Sequence, residues 1–126
     1  MNTQIERIEP KLIEQRSFEI ITQELLEKGY DLSGDTAPII KRCIHTTADF
    51  DYADTLMFSN DAVSKAHEAI RNGAHIVTDT NMTLAGINKN KLLSYGGKVH
   101  CFMADEDVAQ IATKRGVTRA TVSMEK

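Results

Sequence analysis

The sequence predicts an α/β fold, a mainly parallel sheet flanked by helices. Three observations carry that expectation. Apolar residues in the N-terminal half recur at helical spacing, as at Phe18, Ile21 and Leu25. Two short runs in the second half, His75–Thr78 and Lys98–Met103, have strand composition. Each run is followed at once by a polar capping cluster and a new helical pattern, the alternation that builds βα units on a parallel sheet.

The elements follow in order. Pro10 suits the first turn of a helix that reaches Lys28, with Leu12, Ile13 and Leu26 widening its apolar stripe and Gly29 as its stop. Tyr30–Gly34 is turn-rich. Asp35 or Thr36 then caps a second helix, which tolerates Pro38 in its first turn and carries Ile40, Cys43, Ile44 and Thr47 on one face. Ser59 or Asn60 caps a third, running through Val63, Ala66 and Ile70 to Gly73. The first strand ends in Asp79-Thr80-Asn81, a cluster suited to turns and caps, and a short helix extends from Thr80 to Gly86. After the second strand, Asp105 caps a helix that ends in Lys114-Arg115 before Gly116, and Thr118 caps a last helix toward Lys126. Ligands of parallel sheets sit at the carboxyl ends of the strands, which puts Asp79, Thr80, Asn81 and Asp105 at the active edge. A two-stranded parallel sheet leaves its edges open, so either further strands lie in the helical half or something outside this chain completes the fold.

Composition narrows the functional classes. The chain has 126 residues, 41% apolar and 26% charged, which fits one domain (1–126) with a single core. A net charge of −3, from 15 basic and 18 acidic residues, excludes a broad nucleic-acid surface. No apolar run is long enough to span a bilayer, and Met1–Glu6 has neither the basic nor the apolar region of a secretion signal. Cys43 and Cys101 are far apart and form no CxxC, which reads as two buried free thiols in a reducing compartment. The glycines make no GxGxxG and no P-loop, and no GxSxG elbow is present.

Chemistry concentrates at His45-Thr46-Thr47-Ala48-Asp49-Phe50-Asp51-Tyr52-Ala53-Asp54, where an imidazole, two hydroxyls and three carboxylates meet at the end of an apolar helical pattern. Imidazole is the side chain best suited to proton transfer near neutral pH. On a helix, His45 shares a face with Arg42 and Asp49, three residues before and four after it. By spacing alone, a helix-terminal histidine bonded to a carboxylate is the commoner outcome. A metal reading is weaker still, because no second His or Cys stands at ligand spacing. Ser17 lies mid-helix, where a solvent-facing hydroxyl is the usual case. Asp79-Thr80-Asn81 serves equally as a polar site or as a plain cap. Thr118-Arg119 pairs a helix N-terminus with a guanidinium, a good carboxylate site, against the alternative of a solvated arginine. His75 and His100 read as packing or hydrogen-bonding residues of the strands.

Five ordered segments carry a resemblance: Ser17–Ile21, Arg42–Phe50, Ile76–Met82, Ala85–Lys89 and Gly116–Ala120. Together they closely resemble the precorrin-8X methylmutase family, which includes cobalt-precorrin-8 methylmutase, from about Pro10 onward. The resemblance implies an isomerase of cobalamin biosynthesis that moves a methyl group from carbon 11 to carbon 12 of the macrocycle. It implies a cytoplasmic α/β homodimer that needs no separate cofactor, any cobalt belonging to the substrate. It also implies that His45 is the proton donor and that Ser17, Arg42, Arg119, Asp79, Thr80 and Asn81 are substrate-contacting positions. Family chains continue past the position matching Lys126, so the chain is expected to lack the family's C-terminal part, with a complementing C-terminal chain as a further partner. The alternative function is a non-catalytic tetrapyrrole-binding fragment or product carrier.

Overall fold

The computed structural model describes residues 7–126; Met1–Glu6, the segment read above for a secretion signal, lies outside the described residues. The chain forms two compact units, Met1–Val63 and Ser64–Lys126.

In the first unit a single 3-10 turn at Pro10–Leu12 leads into α1 (Ile13–Glu27). Ser17, Ile21 and Leu25 follow one another at i+4, so a single row on α1 turns inward; Ile21 and Leu25 are buried and Ser17 is half-buried. Gly29, at φ +87°, ends the helix in the left-handed region. Its N–H bonds Leu26 O at 3.0 Å and the next N–H bonds Leu25 O at 2.8 Å, which satisfies two carbonyls that the helix end would otherwise orphan. α2 (Ala37–Thr47) packs on α1 through Ile40 and Ile44, with Ala37 buried on the same face. Ile21, Leu25, Ile40 and Ile44 form the core, wrapped by Tyr30, Leu32, Phe50, Tyr52, Leu56 and Phe58. Burial of each such aliphatic side chain stabilises by roughly 1.5–3 kcal/mol, so this cluster holds the unit together.

The second unit comprises most of α4 (Ala62–Arg71), then β1 (Ile76–Val77), α5 (Asn81–Gly86), α6 (Lys89–Leu93), β2 (Val99–His100), α7 (Glu106–Arg115) and α8 (Arg119–Glu125). β1 and β2 pair in parallel, Ile76 opposite Val99 and Val77 opposite His100. Their backbones meet because Gly97 has no side chain: a Cβ there would lie 2.4 Å from Ala74 O. Val108, Ala112 and Val122 make a small core under Phe102. Thr80 and Thr118 cap α5 and α8 by accepting from the N–H of Thr83 and Thr121, as their sequence positions predict.

The α/β class holds, and the sheet is parallel, but its strands are two residues each and helix dominates. Several expectations are corrected. A short α3 (Tyr52–Thr55) and α6 were not anticipated, because elements this short carry no readable periodicity. The third long helix begins at Ala62, past Ser59 and Asn60, because Asp61 adopts φ +60° immediately before it. Asp105 occupies the N-cap position of α7 without capping it; its carboxylate accepts from Lys126 Nζ at 2.7 Å instead. Cys43 and Cys101 are free but only half-buried, and Thr47 is exposed, so the inward face of α2 is Ala37-Ile40-Ile44.

Candidate functional site

The inward row of α1 decides where Ser17 points. Because Ser17 continues the Ile21-Leu25 row, its hydroxyl faces α2 rather than water. There Ser17 Oγ lies 2.7 Å from His45 Nδ1. A hydroxyl can donate to a bare ring nitrogen or accept from a protonated one, so this bond survives either charge state of the ring. It engages Nδ1 and leaves Nε2 for other partners. Phe18, the next residue, stacks on the imidazole with ring centroids 5.2 Å apart and planes 20° apart. The ring is therefore gripped at one nitrogen and along one face.

Beside this grip, Arg42 lays its guanidinium over the Phe18 ring, 4.7 Å from the centroid. It also closes a fork on Glu14, Nη2 to Oε1 and Nη1 to Oε2, both at 3.0 Å. That guanidinium holds the Glu14 carboxyl below its usual range by hydrogen bond and by charge, and Glu14 in turn raises Arg42. Glu14 was not singled out by the sequence reading. Its only local signal is its position three residues before Ser17, which puts it on a neighbouring face of α1.

A groove of ≈ 290 Å³ opens against His45 and Ser17. Its walls are Ile8, Ile13, Ile20, Ile21, Ile44, Ala48 and Phe50, and its charged members are Arg16 and Glu24. It is an apolar recess with one hydrogen-bonded imidazole at its wall, the pattern expected of a small-molecule site. Arg42 does not line it. Ala48 closes α2 at φ 58°, a left-handed conformation that costs a non-glycine residue roughly 1 kcal/mol. This early stop takes Asp49 off the helix, so the expected His45–Asp49 face does not form.

Most of the polar crowding after His45 serves the backbone. Thr46 and Thr47 donate back to Arg42 O and Cys43 O at 2.9 and 2.8 Å. Asp49 Oδ1 accepts from the Asp51 N–H at 3.0 Å, a turn bond, and Tyr30 donates its hydroxyl proton to Asp54.

Ser17, Arg42 and His45 thus come together in the first unit. Asp79, Thr80, Asn81 and Arg119 belong to the second. Asp79 and Asn81 are exposed at the start of α5, where Thr80 is the cap. Arg119 is exposed in the first turn of α8. His75 and His100 bond each other, Nδ1 to Nε2 at 2.8 Å, which fits the hydrogen-bonding role read from their strands. Among the described residues no group of three or more His, Cys, Asp or Glu is placed to hold a metal, and no helix is long and apolar enough to cross a membrane.

The mixed helix and parallel-sheet architecture is of the α/β class, and its first unit sets an imidazole beside an apolar recess. Comparison with known proteins makes this specific. The precorrin-8X methylmutase family model matches residues 12–126, and the chain belongs to that family. It is 42% identical over 120 residues to the cobalt-precorrin-8 methylmutase of Salmonella typhimurium, covering 93% of this chain and 57% of that protein. It is 36% identical over 119 residues to the cobalt-precorrin-8 methylmutase of Priestia megaterium, covering 94% and 52%. Among solved structures, the precorrin-8x methyl mutase of Thermus thermophilus superposes with a TM-score of 0.74 at 34% identity, covering 91% of this chain and 54% of that one. The chain spans about half the length of the curated relatives it matches.

Proposed function

We propose that this chain carries the proton-donating half of a methylmutase site, acting on precorrin-8X or cobalt-precorrin-8 to give hydrogenobyrinate or cobyrinate. The observation that carries the reading is the 2.7 Å bond between Ser17 Oγ and His45 Nδ1 at the wall of an apolar groove. As an imidazolium, His45 donates its Nδ1–H to Ser17 and presents its Nε2–H to the substrate. Transfer of that proton makes the macrocycle electron-poor, and the methyl group moves to the neighbouring ring carbon. The protonated macrocycle then gives a proton back to Nε2, so the isomerisation is balanced and the longer conjugation of the product drives it. Ser17 keeps its bond throughout, which holds the tautomer that bears hydrogen on Nδ1.

The substrate is a flat polycarboxylate with apolar faces. The recess at ≈ 290 Å³ lies at the lower end of ligand-pocket sizes, so it takes one edge of the ring. We assign the remaining walls to partner polypeptide, as a homodimer or with a complementing C-terminal chain. Arg42, with Arg119, Asp79, Thr80 and Asn81 on grounds of family resemblance, is assigned to substrate contact. Residues 1–126 are read as one methylmutase-like domain working in the cytoplasm, with no cofactor beyond the substrate's own cobalt where present.

The test is His45→Asn with precorrin-8X, followed by visible spectroscopy. The unsubstituted chain is expected to produce the product chromophore; H45N is expected to keep its fold by circular dichroism and to lose at least about 100-fold in rate, the usual span of general acid catalysis. A fully active H45N removes the proposed acid. A spectral shift without conversion by the unsubstituted chain assigns it to binding alone.

A further inference from the structure

Resting on that reading of the site, we propose that Glu14 is a placeholder carboxylate: in the free protein it occupies the guanidinium fork of Arg42 that a rim carboxylate of the tetrapyrrole takes on binding.

Three observations support this. The first is geometric. Arg42 Nη2 donates to Glu14 Oε1 and Nη1 lies against Oε2, each at 3.0 Å, so both carboxylate oxygens face the guanidinium as those of a ligand carboxylate do on arginine. The second is location. Glu14 and Ser17 stand one turn apart on α1, and Arg42 and His45 stand one turn apart on α2, so the fork is about 4.5 Å of helix rise from the Ser17–His45 bond. Phe18 touches both, stacking on the imidazole and lying under the guanidinium. An edge of a large flat ligand meeting His45 therefore brings its rim within reach of Arg42, although Arg42 stays outside the recess. The third is exposure. The Glu14 and Arg42 side chains are 60% and 54% exposed, so their pairing is weak and exchanges readily for another carboxylate. Phe18 keeps the guanidinium plane in place while the carboxylates exchange. The exchange breaks one hydrogen bond and one ion-pair contact to Glu14, forms their equivalents to the ligand, and leaves Glu14 to water.

This assigns Glu14 the role of a specificity-determining residue. It neutralises Arg42 against monovalent anions and yields only to a ligand that also fills the recess. The probe is cobyrinic acid, a corrin polycarboxylate, titrated into the full chain and followed by its visible spectrum. Glu14→Gln is expected to bind it up to about fivefold more tightly, the release of one weak exposed ion pair. In an Arg42→Ala background the same E14Q change is expected to have no effect. Unchanged or weaker binding by E14Q overturns the placeholder role, since Glu14 would then be holding Arg42 for the ligand. Equal tightening in the R42A background also overturns it, because general charge removal would be the cause. No spectral change with the unsubstituted chain sinks the tetrapyrrole reading and this inference together; binding that ignores E14Q sinks this inference alone.

Discussion

The two units are stabilised by different means. In the first, four buried aliphatic residues of α1 and α2 are wrapped by aromatic side chains from the following loops. In the second, the core beneath Phe102 is two valines and an alanine, and ion pairs gather around it. Arg115 forks onto Glu125 across the α7–α8 turn, and Lys126 reaches Asp105 and Asp107 at 2.7 and 2.9 Å. Where large apolar side chains are available, charge is left over for the site, as at Glu14, Arg42 and His45. Where they are not, charge goes into joining helix ends.

The contrast makes measurable claims. The largest effect is expected at Leu25, 1% exposed in the aromatic-wrapped core: Leu25→Ala should lower stability by about 2–5 kcal/mol in urea denaturation. Val108→Ala, fully buried in the smaller core, should lose less, about 1–2 kcal/mol, because fewer methyl groups leave and less cavity remains. Equal losses at the two positions would erase the distinction. Next comes a change of opposite sign. Ser123 is 1% exposed, and its hydroxyl has no hydrogen-bond partner among the described residues. Ser123→Ala removes that unsatisfied group and improves helix propensity, so a gain of about 1 kcal/mol is expected from the same denaturation curve; a loss would mean that the hydroxyl is satisfied.

The smallest effect is the pH dependence contributed by the helix-end pairs. Lys126 and Arg115 hold the carboxyls of Asp107 and Glu125 below their usual ranges, by hydrogen bond first and by charge as well. A lowered carboxyl contributes stability above its unfolded pKa and loses it as pH falls through the folded value. Lys126 is raised by its bonds to Asp105 and Asp107, so its contribution stands below the ordinary lysine value and fades as pH rises through the folded one. Melting temperature should fall on both flanks. Glu125→Gln should make the acid flank shallower and leave the alkaline flank unchanged. An unaltered acid flank would show that solvent screening cancels the pair.

Much of the fold was readable because its signals are local. Gly29, Gly116, Thr80 and Thr118 stop or cap helices through bonds spanning a few residues, and any reader of the chain can place them. The strands were found but overextended: Ile76 N–H bonds Lys98 O and Thr78 N–H bonds His100 O, and only Ile76–Val77 and Val99–His100 pair in register. α3 and α6 were missed for want of length. In the site, His45 stood out because its residue type does, yet its expected partner Asp49 was wrong. The helix ends two residues earlier in a left-handed Ala48, and Phe50 just beyond it packs on the core. Glu14 carried only its spacing from Ser17, which does not single out one surface carboxylate.

By itself, then, the order of residues determined the caps and stops at Gly29, Thr80, Gly116 and Thr118, that the two strands run parallel, and which imidazole merits attention. Those outcomes depend on hydrogen bonds and side-chain periods a turn or two long. Only the packing of α1 on α2 decided that Ser17, rather than a carboxylate, would hold His45, and that Arg42 would close on Glu14. Each pair is separated by 28 positions, a distance over which spacing rules have no reach and the meeting is set by how two apolar faces settle together.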